Sequence, residues 1–451
     1  MTASTARAAA LKVVTRVRER SAYAHETLAG VLESASLSAQ DSAFATRLAY
    51  GTVACRGTLD EAVARFVDAP SRLEPSVADA LAMGAYELLF MRTPVWAAVD
   101  EGVTLVRSVR PKAAGLANAV LRRIGERSDA FPWGDPTTDT AALARQHGHP
   151  EWLTEVLIAQ LGRVAAVRIL EADNEPAPLY LAHVPSLGTL DEALELLERD
   201  GADPGLCDLA GCIVAGSPAA AVGGRAVREG RVLVCDAAAQ FAARCVGARP
   251  HMRILDIGAG RGTKTLIMQG LALQAGGPAE VLAVDQHAFK LQVLSSTADR
   301  LGVPGIRRLE CDATKMSLDD LPFGTADAVL IDAPCSGIGT LRRHPDRRWR
   351  MEPAEVPLLA ALGARLLDQV SRLVTAGGFV VYSTCTVTRA ENDDVISAFL
   401  GGPAGEGFVL DSLEGEVPHS WRRFVRGDGT FQSLPEPAGP DGHFVARMLR
   451  R

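Results

Sequence analysis

The feature that most constrains the fold is a regular alternation of short apolar runs and helical stretches, which begins near Gly230. Four strand-like runs lie at residues 253–257, 281–285, 328–332 and 379–383. Strands that alternate with helices are typical of a parallel, doubly wound α/β sheet. Ligands of such sheets bind beyond the carboxyl ends of the strands. Residues that bind a ligand or take part in catalysis are therefore expected directly after these runs.

The part of the chain before this alternation has a different periodicity. Leu11, Val14 and Val17 recur at helical spacing, and prolines stand only at plausible helix boundaries. This pattern predicts a bundle of six or seven short helices. We therefore predict a multidomain protein with an all-α domain at 1–127, a linker at 128–149, a small α+β domain at 150–228, and a C-terminal α/β Rossmann-like core at 229–451.

Composition excludes several classes of protein. No run of about 18 apolar residues is present, so no membrane-spanning helix is expected. The eight cysteines form no CxxC pair, which argues against a zinc site, and no metal is predicted. Without an export signal, free thiols in a reducing cytoplasm are expected. The net charge of −7 argues weakly against a general nucleic-acid binder, and nothing demands a dimer, so a monomer is expected.

A glycine-rich turn follows the first strand of the predicted sheet. It comprises Gly258, Ala259, Gly260, Arg261, Gly262, Thr263 and Lys264. Glycines let the backbone approach a ligand closely, and the helix that follows offers unpaired N–H groups. The same pattern also occurs as a plain tight turn or in dinucleotide sites.

Two acidic residues strengthen the interpretation as a nucleoside site. Asp285 ends the second strand and can accept hydrogen bonds from both ribose hydroxyls. Asp312 follows the third strand and is placed to accept from an adenine amino group. Binding sites for NAD and for S-adenosylmethionine share these features, so the choice between the two cofactors depends on the remaining motifs.

Two cysteines decide that choice. Cys335 follows Asp332 at the end of the fourth strand, and Cys385 follows the next strand. A thiolate that adds to C6 of cytosine makes C5 nucleophilic enough to attack a methyl sulfonium. A carboxyl group near N3 can stabilise the adduct, and a second thiol can assist release. An oxidoreductase that uses NAD leaves both cysteines unexplained.

These motifs resemble those of a known family. The segments Asp332-Ala333-Pro334-Cys335-Ser336-Gly337 and Ser383-Thr384-Cys385-Thr386 resemble motifs IV and VI of the RNA cytosine-C5 methyltransferases of the Nol/Nop/Sun family. The resemblance implies that Cys385 is the nucleophile and that Cys335 assists release. It also implies that Asp332 contacts the base and the methionine end of S-adenosylmethionine. The remaining cofactor contacts that it implies are residues 258–264, Asp285 and Asp312.

The likeness extends beyond the catalytic motifs. Glu391-Asn392 matches the usual residues after motif VI, and residues 441–447 resemble the final strand of the family. Residues 99–103 and 116–123 resemble the NusB-type RNA-binding domain. This pairing of domains is similar to the bacterial 16S ribosomal RNA methyltransferases of the Sun (RsmB) type.

The sequence departs from the family at three places. The glycine turn lacks the usual proline, although it keeps Lys264, and cofactor binding is expected to survive. Thr386 stands where serine is usual. Residues 182–184 replace a usual Arg-Val-Asn, which puts RNA contacts of the middle domain in doubt.

An arginine-rich segment follows Cys335. A target cytosine must be single-stranded or flipped out of a helix to reach the thiols. We predict that this segment contacts RNA through its arginines and a stacked tryptophan, with the alternative that the tryptophan only anchors the loop. The predicted RNA-binding residues are Arg342, Arg343, Arg347, Arg348 and Trp349.

Two other functions stay open at this point. The same chemistry could act on transfer RNA. A different class is an RNA-binding or assembly factor that carries an inactive catalytic domain, although the intact cysteines and glycine turn speak against it.

Overall fold

The computed structural model describes residues 4–20, 24–91 and 93–451, and the chain divides into two compact units. The first unit contains the chain up to Glu175 together with Leu341–Pro353. The second unit contains Pro176–Thr340 and Ala354–Arg451. A short segment from the second half of the sequence thus belongs to the N-terminal unit.

The first unit is helical throughout its described part. Its helices are α1 (Thr5–Arg20), α2 (Ala24–Ala35), α3 (Ala39–Ala54), α4 (Arg56–Ala64), α5 (Pro75–Leu89), α6 (Val95–Val109), α7 (Ala114–Glu126), α8 (Thr140–His147), α9 (Glu151–Leu161) and α10 (Arg163–Ala172). The predicted bundle over residues 1–127 is confirmed by α1–α7. Helix α5 lies at its centre, because its residues from Ala80 to Leu88 are all buried.

Two buried acids on α5 are paired with arginines from other helices. Asp79 accepts from Arg18 at 3.0 Å and from Arg56 at 2.6 Å, and Glu87 accepts from Arg7 at 2.7 Å. A buried carboxylate without such partners would be strongly destabilising. These pairs therefore fix how α1, α4 and α5 pack together.

The segment predicted as a linker is folded, which differs from the sequence-based expectation. Residues 128–149 contain α8, and helices α9 and α10 belong to the first unit, so the second unit begins at Pro176 instead of 150. The physical reason is packing that the turn-rich composition hides. A Cβ atom at Gly148 would lie 2.3 Å from Sγ of Cys55, and Asn174 donates to the carbonyl of His147 at 2.8 Å.

The second unit starts with a small antiparallel sheet. Its elements are β1 (Leu179–His183), α11 (Leu190–Arg199), β2 (Pro204–Leu206), β3 (Cys212–Ala215), α12 (Pro218–Gly223), α13 (Arg225–Arg228) and β4 (Val232–Val234), with strand order β2-β3-β1-β4. Thr189 caps α11 in a capping box with Glu192, as its sequence predicts. The predicted strand near 177–184 and the helix near 189–200 are both present.

The rest of the unit is the large sheet and its helices. Its elements are α14 (Ala237–Arg244), β5 (Arg253–Ile257), α15 (Thr263–Gln274), β6 (Glu280–Asp285), α16 (Ala288–Leu301), β7 (Ile306–Glu310), β8 (Ala326–Asp332), α17 (Glu355–Val370), β9 (Val374–Thr384), α18 (Asp393–Gly401), β10 (Phe408–Asp411), β11 (Phe431–Gln432) and β12 (Phe444–Arg450). The strand order is β10-β12-β9-β8-β5-β6-β7, and β11 pairs with β12.

The four predicted strands correspond to β5, β6, β8 and β9, and their parallel pairing is confirmed. Strand β12 runs antiparallel between β9 and β10, which makes the sheet mixed. The central strands are apolar along most of their length because helices cover both faces. No helix in the described ranges is long and apolar enough to cross a membrane.

Candidate active site

The glycine turn after β5 folds as its sequence predicts. Gly258, Gly260 and Gly262 have φ values of +76°, +57° and +87°, a region that favours glycine. A Cβ atom at Gly258 would lie 2.5 Å from the carbonyl oxygen of Asp332. At Gly260 the nearest atom would be 3.8 Å away, so this part of the turn has open space in front of it. The turn can therefore admit a ligand at Gly260.

Asp285 holds the turn in place from the end of β6. Its Oδ2 accepts from the backbone N–H of Gly260 at 3.1 Å, and its Oδ1 accepts from the N–H of His287 at 2.9 Å. The carboxylate is nearly buried, yet it lies beside the open side of the glycine turn. This is the position expected for an acceptor of ribose hydroxyls.

Asp312 lies after β7 and caps the short turn Ala313–Lys315. Its Oδ1 accepts from the hydroxyl and the N–H of Thr314, at 2.7 and 3.1 Å. Hydrogen bonds from Thr314 hold the pKa of the Asp312 carboxyl below its ordinary value. Asp312 is thus an ionised acceptor, as an adenine amino group would require.

Asp256 lies within β5, the strand that precedes the glycine turn, and its sequence position predicted no role for it. It is fully buried, its Oδ2 accepts from Thr265 at 2.5 Å, and its Oδ1 has no partner among the described residues. Burial raises the pKa of Asp256 to about 7, although the Thr265 hydrogen bond opposes the shift. An acid within an apolar strand was the available signal.

The Asp256 shift predicts a pH dependence of stability. Because its folded-state pKa lies above the unfolded value of about 4, folding is favoured at low pH. The contribution is complete below pH 4 and is lost as the pH rises towards 7. We expect the stability of Asp256→Asn to decline less between pH 5.5 and 7.5 than the stability of the wild type. Melting temperatures at pH 5.5 and 7.5 would measure it.

Asp327→Asn is the matched control for that experiment. Asp327 lies on neighbouring β8, and hydrogen bonds from Arg253 lower its pKa. Its titration therefore lies in the acid range, and its variant should keep the wild-type slope between pH 5.5 and 7.5. Equal slopes for wild type and Asp256→Asn would contradict the assignment.

A lysine–aspartate pair joins the glycine turn to the end of β8. Lys264 Nζ lies 2.7 Å from Oδ2 of Asp332. Burial disfavours the charged ammonium, but attraction to Asp332 and the hydrogen bond that Lys264 donates to it outweigh burial, so the pKa of Lys264 is raised. Lys264 therefore keeps its positive charge, which also interacts with Cys385. Positive charge of this kind favours a thiolate.

The structure brings the two predicted cysteines together. Sγ of Cys335 lies 3.4 Å from Sγ of Cys385, and both thiols are reduced and partly exposed. The hydrogen bond with Cys385, followed by burial, raises the pKa of Cys335 well above its ordinary value. Cys335 is therefore a neutral thiol near pH 7, suited to donate a hydrogen bond and unsuited to be the nucleophile.

A buried carboxylate ties the two cysteine loops to each other. Glu391 Oε1 accepts from the N–H of Ser336 at 2.6 Å, and Oε2 accepts from the Ser336 hydroxyl at 2.7 Å. The same Oε2 accepts from Thr386 at 3.1 Å and from Thr388 at 2.5 Å. Thr386, which replaces the usual serine of the family, keeps this hydroxyl contact.

Asn392 holds the backbone on both sides of Cys385. Its Oδ1 accepts from the hydroxyl of Thr384 at 2.6 Å, and its Nδ2 donates to the carbonyl of Thr386 at 3.1 Å. The Glu-Asn pair noted in the sequence thus holds the loop that carries Cys385.

The arginine-rich segment lies in the first unit, and its placement corrects part of the RNA prediction. Arg348 is fully buried and donates to Oδ1 of Asn174 at 2.8 Å and to the carbonyl of Asp173. The Trp349 indole donates to the carbonyl of Ala54 at 2.7 Å. Arg348 is thus taken up by internal contacts, and Trp349, although partly exposed, has the anchoring hydrogen bond that the alternative of an anchored loop expects. Burial excludes Arg348 from a surface contact with RNA in this fold, whereas Trp349 stays a prediction.

The other three predicted RNA contacts are placed differently from one another. Arg342 is buried, whereas Arg343 and Arg347 are partly exposed. Burial excludes Arg342 from a surface contact with RNA in this fold. Arg343 and Arg347 stay predictions.

Arg348 has a measurable structural role. Arg348→Ala leaves the buried carbonyl of Asp173 and the amide oxygen of Asn174 without their donor and removes a fully buried side chain, so we expect the free energy of unfolding to fall by about 3 kcal/mol. Thermal denaturation would measure this loss. The control is Arg347→Ala, which should change stability by less than about 1 kcal/mol. Stability unchanged in Arg348→Ala, together with weaker RNA binding, would restore the original prediction.

Comparison with known proteins identifies the family. A model of the 16S rRNA methyltransferases RsmB/F matches residues 244–449, and a NusB family model matches residues 4–126. A probable ribosomal RNA small subunit methyltransferase B of Bacillus subtilis is 31% identical over 98% of both chains. The chain belongs to this methyltransferase family. The resemblance drawn from the motifs and the NusB-like domain is confirmed.

A second relative and a solved structure agree with this family assignment and with the fold. The ribosomal RNA small subunit methyltransferase B of Thermus thermophilus is 33% identical over 100% of this chain and 99% of its own. The solved structure of PH0851 has a TM-score of 0.82 and 22% identity over 98% of both chains, which supports the fold. As a member of the family, the protein is an RNA methyltransferase that uses S-adenosylmethionine.

The residues present fit this cofactor. The turn leaves room for a ligand at Gly260, and the carboxylates of Asp285 and Asp312 are acceptors at the ends of adjacent strands. Loss of the usual proline has not disturbed the turn, because the positive φ values fall on glycines.

Proposed function

We propose that this protein methylates C5 of a cytosine in 16S ribosomal RNA through a covalent bond between Cys385 Sγ and C6 of the base. The observation that carries the proposal is the pair of reduced thiols 3.4 Å apart at the ends of β8 and β9. One thiol is neutral, and the other lies within the field of Lys264. Two thiols with such different electrostatic surroundings suit a nucleophile and a second thiol that assists release of the product.

Cys385 and Asp332 have separate roles in the proposed methylation. The Cys385 thiolate adds to C6, and the electrons of the C5–C6 double bond become available at C5. The Asp332 carboxylate, held by Lys264 at 2.7 Å, accepts a hydrogen bond from the ring at N3 when that nitrogen carries a proton. The bound cofactor supplies an electrophilic methyl group. The C5 proton then passes to solvent water, its C–H electrons restore the C5–C6 double bond, and the electrons of the C6–sulfur bond return to the Cys385 sulfur.

Cys335 acts at this last step. Its thiol is protonated and lies within hydrogen-bond distance of Cys385. It can therefore stabilise the negative charge that returns to the Cys385 sulfur when the bond to C6 breaks. Without that hydrogen bond, release of the RNA is slowed.

The choice of 16S ribosomal RNA rests on family membership. The named relatives are ribosomal RNA small subunit methyltransferases, and they match this chain over nearly its full length, including its NusB-like residues 4–126. Transfer RNA is the competing substrate, and offering each RNA to the protein distinguishes transfer RNA from ribosomal RNA as the substrate.

The test is to incubate the protein with methyl-labelled S-adenosylmethionine and unmodified 16S ribosomal RNA, with total transfer RNA in parallel. Label recovered as 5-methylcytidine from ribosomal RNA supports the proposal. Label on transfer RNA alone would move the substrate and keep the chemistry. Cofactor binding without transfer to either RNA would contradict the catalytic proposal and leave an RNA-binding factor.

A further inference from the structure

His443 lies immediately before β12, and its backbone is held firmly. Its N–H donates to Oγ of Ser433 at 3.0 Å, and its carbonyl accepts from the N–H of Ser433 at 2.9 Å and from Gln432 at 3.1 Å. The backbone position of His443 is therefore fixed at the start of the strand.

The strand register places this residue beside the nucleophile. Phe444 is paired with Thr384, so the next step along the two antiparallel chains sets His443 against Cys385. The neighbouring backbone confirms the proximity, because Gly442 donates to the carbonyl of Gly339 at 2.8 Å, and Gly339 donates to the carbonyl of Cys385 at 3.0 Å.

That approach requires glycine. A Cβ atom at Gly339 would lie 2.1 Å from the carbonyl oxygen of Gly442. The loop after Cys335 and the start of β12 are thus in direct backbone contact. His443 stands where the two catalytic loops meet.

The imidazole has an unused hydrogen-bonding atom. His443 is 4% exposed, and its Nδ1 is buried without a partner among the residues that the structure describes. An unsatisfied buried polar atom of this kind costs about 1–3 kcal/mol. Burial lowers the pKa of His443, and its charged neighbours are Asp236, Lys264, Asp441 and Asp332. The ring is neutral at pH 7 and can hydrogen-bond an uncharged group.

The order of the strands indicates which ligand this atom meets. Residues that fit the cofactor lie at the ends of β5, β6 and β7, whereas the thiols lie at the ends of β8 and β9. His443 belongs to β12, on the far side of β9 from the cofactor strands. The base that Cys385 attacks therefore comes closer to His443 than the cofactor does.

We propose that His443 binds the target pyrimidine, with Nδ1 hydrogen-bonded to an exocyclic group of the base. The inference rests on the proposed function, since it takes cytosine as the substrate of Cys385. It adds a substrate-contacting residue that the cysteine and aspartate motifs do not include.

The matched variants are His443→Asn and His443→Leu, which have similar size and differ in hydrogen bonding. Asparagine keeps a polar atom near the position of Nδ1, and leucine removes it. We expect single-turnover methylation of 16S ribosomal RNA to fall about 10- to 100-fold in His443→Leu and much less in His443→Asn. Affinity for S-adenosylmethionine should stay within about twofold of wild type in both.

A second readout follows the base directly. In RNA that carries 5-fluorocytosine, fluorine replaces the C5 proton that must leave, so the Cys385 adduct persists on a denaturing gel. Adduct formation should be slowed in His443→Leu in parallel with methylation. Melting temperatures of both variants would show that they are folded.

Several results would overturn the inference. Equal methylation and adduct rates in the two variants would show that the polar atom does not contact the base, as would a wild-type rate in His443→Leu. A loss of cofactor affinity that accounts for the whole effect would assign the imidazole to the cofactor instead. Absence of 5-methylcytidine with the wild-type protein would contradict the proposed function itself, and this inference with it.

Discussion

Replacing Cys385 with alanine is expected to abolish formation of 5-methylcytidine, with a loss of at least about 10⁴-fold in turnover. The reason is that cytosine C5 is a poor nucleophile until a thiolate has added to C6. Cys335 cannot substitute for it, because burial still raises the pKa of the Cys335 thiol when the hydrogen bond with Cys385 is absent. Nucleoside analysis of the methylated RNA would measure the loss.

Cys207→Ala is the control for the loss of a thiol as such. Cys207 is partly exposed and lies directly after β2 in the small sheet, outside the segments that form the glycine turn and the two cysteine loops. Its variant should keep wild-type turnover. Activity above about 1% in Cys385→Ala, with folding and cofactor binding intact, would show that the reaction does not pass through this thiol.

Replacing Cys335 with alanine is expected to have a different result, namely accumulation of a covalent complex between protein and RNA. Addition at C6 depends on Cys385 and is retained. Release is slowed because the hydrogen bond to the departing sulfur, 3.4 Å long, is lost. Turnover should fall about 10²- to 10³-fold, the usual cost of one stabilising donor. A band of protein joined to RNA on a denaturing gel measures the complex.

Two further variants make this test specific. The double variant Cys335→Ala with Cys385→Ala should form no complex, because the attacking sulfur is absent. Cys335→Ser keeps a hydroxyl donor and should release RNA faster than Cys335→Ala. Free turnover without any complex in Cys335→Ala would contradict the role assigned to this thiol.

Much of the catalytic core was predictable because its signals are local. Short apolar runs between helical stretches identified β5, β6, β8 and β9, and parallel pairing follows from the connecting helices. The glycine turn was equally local, since positive φ is a property of single residues. Motif residues after each strand were expected to converge, because parallel strands end at one edge.

Features that depend on distant contacts were missed or misplaced. The turn-rich stretch at 128–149 was predicted to be a linker, yet α8 lies within it and packs on the first unit. The arginine cluster was predicted to face RNA, yet Arg348 is buried against Asp173 and Asn174. Charge along a sequence indicates exposure only on average, and a buried partner far along the chain reverses it.

Sequence by itself therefore determined the class of fold, the glycine turn, the two cysteines and the chemistry that they suggest. Each of these depends on residue type and short spacing. Tertiary structure alone decided that the thiols lie 3.4 Å apart, that Glu391 joins their loops, and that His443 stands beside Cys385 with an unpartnered nitrogen among the described residues. Those relations depend on strand register and burial, which bring together residues separated by about 50 positions, and no local pattern records them.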